Sequence, residues 1–157
     1  MLIALLISAA LSSEPNDVPG FAQFQMSRSL IYITETVDIA AYRDERLNRL
    51  EYKIRYNWSQ QFSPRKIDAV INSTDCPAIH QIVTRMGKLQ MPQPLPIVDS
   101  ELPPPPIMDG NYYELTAPSS FGNGHLTITS NGGTPLAIWV EHALAALLPC
   151  LPSTPLP

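Results

Sequence analysis

Two cysteines and three histidines are the residues in this chain whose types could do nucleophilic, redox or metal chemistry. Cys76 and His80 stand four apart in Ser73-Thr74-Asp75-Cys76-Pro77-Ala78-Ile79-His80, a stretch that reads as the opening of a helix. At a helix N-terminus a thiolate is stabilised by the helix dipole. A histidine one turn on shares its face, so the pair suits a nucleophile and its base. The same pair could be half of a zinc site, but such a site needs three or four ligands, and Cys-x3-His supplies two. Cys150 offers a third use for Cys76. In an exported chain two cysteines pair as a structural disulfide, and bonding these two would refer both ends of the fold to one point. The disulfide is the preferred reading, with no metal and no cofactor expected and His80 left as a surface neighbour of the bond.

A second constellation surrounds the loop Ala117-Pro118-Ser119-Ser120-Phe121-Gly122-Asn123-Gly124-His125, with Glu141 and His142 further on. A serine hydrolase can be drawn from these residues. However, neither a Gly-x-Ser-x-Gly elbow nor a Ser-x-x-Lys motif is present, and serine beside glycine is ordinary turn chemistry. Gly122-x-Gly124 lacks the spacing of a phosphate loop. Asn57-Trp58-Ser59 and Asn72-Ser73-Thr74 fit the glycosylation acceptor pattern, which matters only in a eukaryotic secretory route.

These residues must be positioned by about one domain's worth of chain: 157 residues, 45% hydrophobic, 15% charged, with 17 prolines. All ten Lys and Arg lie between Arg28 and Lys88, so a mildly basic first part faces an acidic second part within a net charge of −4. No basic stripe with interleaved aromatics is present, which argues against nucleic-acid binding. Nothing in the sequence sets the oligomeric state or names a partner.

Residues 1–12 form an apolar run ending in small residues, the pattern of a secretory signal, although no Lys or Arg precedes it. The run is too short to span a bilayer, which takes about 20 residues, and no transmembrane span is expected. The expected location is therefore the periplasm or the exterior of a bacterial cell, after signal cleavage. Residues 13–20 read as a flexible arm, 21–151 as a single domain and 152–157 as a disordered tail.

Within the domain, residues 29–39 are rich in β-branched and aromatic types and read as a strand, followed by a charged connection at Arg43-Asp44-Glu45-Arg46. From Leu50 to Trp58 the chain alternates, with Leu50, Tyr52, Ile54, Tyr56 and Trp58 to one side and Glu51, Lys53, Arg55 and Asn57 to water. Ser63-Pro64 resembles a cap and first helical residue, predicting a short helix through Ile71. Asp75 is expected to cap the next helix from Cys76, whose Ile79, Ile82, Val83 and Met86 recur on one face before Gly87. Residues 90–107 hold seven prolines and read as an extended connector. Tyr112 to Thr116 and His125 to Thr129 form a hairpin, with one of Tyr112 and Tyr113 facing solvent. Trp58 and Trp139 fall on apolar faces and are expected in the core. Thr134 caps and Pro135 opens a largely apolar helix through Leu148.

The sum is an α+β domain with an antiparallel sheet of about four strands, two or three helices, one Cys76–Cys150 disulfide and a proline-rich connector. The leading functional expectation is an exported, non-enzymatic binding or structural accessory protein. The alternative is a small hydrolase or thiol enzyme built on Cys76 and His80 or on the 119–125 loop.

Overall fold

The computed structural model describes residues 20–90, 110–119 and 124–152. The expected signal, most of the expected arm and tail, the expected proline-rich connector beyond Gln90, and Ser120 lie outside these residues.

Among the described residues, six strands form one antiparallel sheet: β1 Ala22–Arg28, β2 Ile33–Asp44, β3 Arg49–Gln60, β4 Lys66–Asn72, β5 Asn111–Pro118 and β6 His125–Asn131. Their order across the sheet is β4-β3-β2-β1-β5-β6. Neighbours in sequence are neighbours in space except across the segment between β4 and β5, where the chain leaves one edge, makes α1 Ala78–Met86, and returns beside β1. Helix α2 Pro135–Leu147 follows β6, and a 3-10 turn Leu148–Cys150 closes it.

Period-two patterning builds one apolar face: Ala22, Phe24 and Met26 of β1, Val37 and Ile39 of β2, Ile54 and Tyr56 of β3, Ala69 and Ile71 of β4, Tyr113 and Leu115 of β5. Both helices cover this face, with Ile79 and Ile82 of α1 and Leu136, Ala137, Trp139, Val140, Ala143, Leu144 and Leu147 of α2 completing the core. The Trp139 ring meets Phe24 edge-on, centroids 4.9 Å apart. The opposite face carries polar pairs, among them Gln23 Nε2 to Asp38 at 2.6 Å and a two-pronged Arg55–Asp68 contact at 2.9 and 2.6 Å.

The expected four strands are an undercount. β1 precedes the first expected strand, and residues 29–32, taken as its start, are the turn between β1 and β2. The helix expected from Ser63 to Ile71 is strand β4. Its Ile67, Ala69 and Ile71 also alternate, and the open edge of β3 offers a full ladder with register Tyr56↔Ala69, which a short isolated helix cannot match. The charged stretch at Arg43 extends β2 to Asp44, and the turn is residues 45–48.

Helix α1 begins two residues later than Cys76. Pro77 is its N-cap, and Asp75 makes no side-chain cap. Instead the backbone N–H groups of Asp75 and Cys76 both donate to the Asn72 carbonyl, a tight turn that leaves the start of α1 against the end of β4. Helix α2 starts as expected: Thr134 Oγ1 accepts the Ala137 N–H at 3.1 Å and Pro135 takes the first position. No helix among the described residues is long and apolar enough to cross a membrane.

Candidate functional site

Cys76 and Cys150 are bonded to each other, with Cα atoms 5.8 Å apart, and Cys76 is fully buried. The bond joins the entry of α1 to the exit of α2. Cys76 therefore presents no thiol in this state, and His80 turns elsewhere.

His80 Nε2 lies 3.0 Å from Glu51 Oε2, and its ring stands edge-on to Tyr52. Alternation assigned Glu51 to water. In the structure it is 0% exposed. Three groups draw it in. Ser73, the first residue beyond β4, accepts the Tyr52 N–H at 2.8 Å and donates its hydroxyl to Glu51. Arg49, two residues back along β3 and so on the same side of the strand, donates its Nε–H to the other carboxylate oxygen. His80 comes from the first turn of α1. The Ser73 hydrogen bond, ahead of the opposing cost of burial and with help from Arg49 and His80, holds the Glu51 carboxyl below its usual range.

These three residue types suggest a hydrolase triad, but the order is wrong for one. A triad needs histidine between serine and acid so that the imidazole can take the serine proton. Here the carboxylate stands in the middle, and Ser73 is buried with its hydroxyl spent on two partners. The arrangement fastens the ends of β3 and β4 to α1 beside the disulfide. Among the described residues, no three His, Cys, Asp or Glu side chains come together as a metal cage.

The second sequence constellation is dispersed. Ser119 closes its loop by a backbone bond to the Gly124 carbonyl at 2.8 Å, and His125 is exposed at the start of β6. Glu141 accepts the hydroxyl of Tyr113, the buried member of the tyrosine pair, while Tyr112 faces the other way. His142 sits on the outer side of α2, beside a crevice shared with Ala78 and Arg85 of α1. Under the sheet, the buried Tyr56 hydroxyl donates to Glu35 at 2.9 Å, and Arg28 lies 3.7 Å from the same carboxylate. Burial, with the Glu35 charge second, pushes the Tyr56 hydroxyl far above its ordinary range.

Arg28 leads to the feature that the sequence did not disclose. The β1–β2 and β3–β4 turns lie side by side at one end of the sheet, because β1, β2, β3 and β4 are consecutive neighbours. Tyr32, in the first turn, and Phe62, in the second, both hold left-handed backbone, φ 51° and 65°. That region is costly for bulky residues, by roughly 1–3 kcal/mol each. Backbone and side-chain bonds clamp the two turns together: Gln61 N–H to the Tyr32 carbonyl at 2.9 Å and Gln60 Nε2 to the Ile31 carbonyl at 3.4 Å. The two rings meet edge-on, centroids 5.8 Å apart.

The two strained residues and their neighbours stand in water rather than in the core. Leu30, Ile31, Tyr32 and Phe62 are 78%, 47%, 57% and 87% exposed. Beside them a groove of about 570 Å³ is lined by Arg28, Lys66, Gln60, Ser27, Ser59 and Thr34, among others. Arg65, in the same turn as Phe62, is exposed. Clustered apolar exposure with a polar rim marks an interaction surface, and strained backbone often accompanies one. No family model, curated protein or solved structure matches this chain. The signals for the site in the sequence were Leu30-Ile31-Tyr32, which runs straight into Ile33 and so reads as strand, and the single aromatic Phe62 among polar residues. Their convergence needed the strand order.

Proposed function

We propose that this is an exported, non-enzymatic accessory protein that binds through its paired hairpin tips, and that the surface it binds is an anionic lipid interface. One observation carries the reading: four large apolar side chains protrude from two clamped turns whose left-handed aromatics meet each other edge-on rather than entering the core. Such a tip suits the boundary between headgroups and acyl chains, where aromatic residues are favoured. Arg28, which also faces Glu35, and Lys66 line the groove beside the tip, and Arg65 is exposed in the same turn as Phe62; these cations complement anionic headgroups. The disulfide and the apolar N-terminal run support an exported location. The thiol alternative lacks a free thiol, since Cys76 is bonded to Cys150.

Burying about half of the protruding apolar surface contributes on the order of 3–5 kcal/mol. Each cation near an anionic surface adds about 1 kcal/mol. Together these predict affinity in the micromolar to sub-millimolar range. Co-sedimentation with phosphatidylcholine vesicles, with and without phosphatidylglycerol, is the test. The protein should pellet with the anionic vesicles, and Tyr32→Ser/Phe62→Ser should bind roughly tenfold or more weaker. Wild type and variant share the same N-terminus, so the difference belongs to the tip. Equal binding by the two would end the proposal, and so would no binding by either.

A further inference from the structure

The two edges of the sheet are not alike. β4 carries Lys66 and Asp68, the latter held by Arg55 of β3, and such charges discourage pairing with another strand. β6 reads His125-Leu126-Thr127-Ile128-Thr129-Ser130-Asn131, with no Lys, Arg, Asp, Glu or Pro and an unbroken seven-residue register to β5. Natural edges of that length are normally blunted by charge, proline or a bulge, and this one has none of these.

The helix beside it has the same character. α2 packs over β5, β6 and β1. Its exposed residues include Ile138, Glu141, His142, Ala145 and Leu148, while Ala146 borders the crevice with α1, and Glu141 is its one carboxylate. The whole chain after Lys88 contains no Lys or Arg. With so little charge on this side of the molecule, little like-charge repulsion opposes the approach of a second copy.

We infer that the β6 edge is the dimer interface of this protein, the partner being a second copy of the chain. The strand is self-complementary. Antiparallel pairing centred on Ile128 sets Ile128 against itself, Thr127 against Thr129 and Leu126 against Ser130, and it brings no two like charges together. The two-fold axis of such a pairing is normal to the sheet, so the helical layer continues across the seam and each α2 approaches its counterpart on the same face. The result is a continuous twelve-stranded sheet, from two copies of the six-stranded one. This inference is independent of the lipid-binding tip, which is formed by the β1–β2 and β3–β4 turns.

Sedimentation equilibrium over a wide concentration range tests it. The wild type should show twice the monomer mass at high concentration. Thr127→Lys should raise the dissociation constant at least tenfold, and Val70→Lys, on the β4 edge, should leave it unchanged. Circular dichroism and the mass of the intact disulfide report folding. Should Thr127→Lys misfold, hydrogen exchange of the wild type decides, since amides of residues 126–130 should exchange more slowly as concentration rises. A monomer at every concentration overturns the inference. So does a dimer broken by Val70→Lys but not by Thr127→Lys, or exchange at β6 that ignores concentration.

Discussion

Replacing both cysteines, Cys76→Ala with Cys150→Ala, removes a crosslink that closes a loop across 74 positions. In the chain-entropy treatment a loop of that length restricts the unfolded state by about 4.5 kcal/mol at room temperature. Native geometry should not offset this, because the 5.8 Å Cα separation lies within the ordinary range and Cys76 is already packed among core residues. A domain of this size is stable by about 5–15 kcal/mol in all, so the variant should fold but with a much reduced margin. Urea denaturation followed by tryptophan fluorescence and circular dichroism is the assay. With a slope of about 2 kcal/mol per molar, the midpoint should fall by roughly 2 M. The slope itself should hold or rise slightly as the unfolded chain expands. A loss below about 1 kcal/mol would refute the reasoning, because the bond would then constrain nothing that the sheet and helices do not already hold.

Acid should weaken the fold through Glu51. Its folded pKa lies below its unfolded one, so its contribution is present above the ordinary carboxylate range and is lost as pH falls through the folded value. Asp68, held down by its hydrogen bond to Arg55, adds to the same slope. Glu51→Gln should flatten the dependence of the urea midpoint on pH below about 4.5 without abolishing it, and an unchanged slope would show that Glu51 is not depressed. Phe62→Gly relieves left-handed strain and should stabilise the protein by about 0.5–1 kcal/mol while weakening vesicle binding. A destabilised variant would mean that the exposed ring supports the fold. Phe24→Ala, deleting a buried ring that meets Trp139, should cost about 3–5 kcal/mol in the same denaturation experiment.

The elements that sequence reading located best were those with signals at both ends. Helix α2 has Thr134 and Pro135 at its start and Pro149 after its end. β3 has a long alternating pattern, and the β5–β6 hairpin has glycines between two β-rich runs. β4 went astray because Ser63-Pro64 imitates a helix start, and Ile67, Val70 and Ile71 fit helical spacing as well as they fit a strand. Only the vacant ladder of β3 decides between the two. β1 is short and lies next to a polar arm, so its alternation of Ala22, Phe24 and Met26 stood out less than the apolar run that follows. The chemistry was less legible than the fold. Cys76 could be matched to Cys150 because cysteine pairing is a short list. Glu51 could not be matched to Ser73 and His80, 22 and 29 positions away, because polar groups have many possible partners. The tip was hidden for a different reason. Its strain and its exposure exist only once two turns have been placed side by side.

The most direct test of the account is to map where an anionic lipid surface touches the protein. Amide chemical shifts would be recorded before and after adding bicelles containing phosphatidylglycerol, with neutral bicelles as the reference. Changes should concentrate in residues 28–33 and 60–66, be absent with neutral bicelles and be lost in Tyr32→Ser/Phe62→Ser. Changes centred on another face, or none in these two turns, would contradict it.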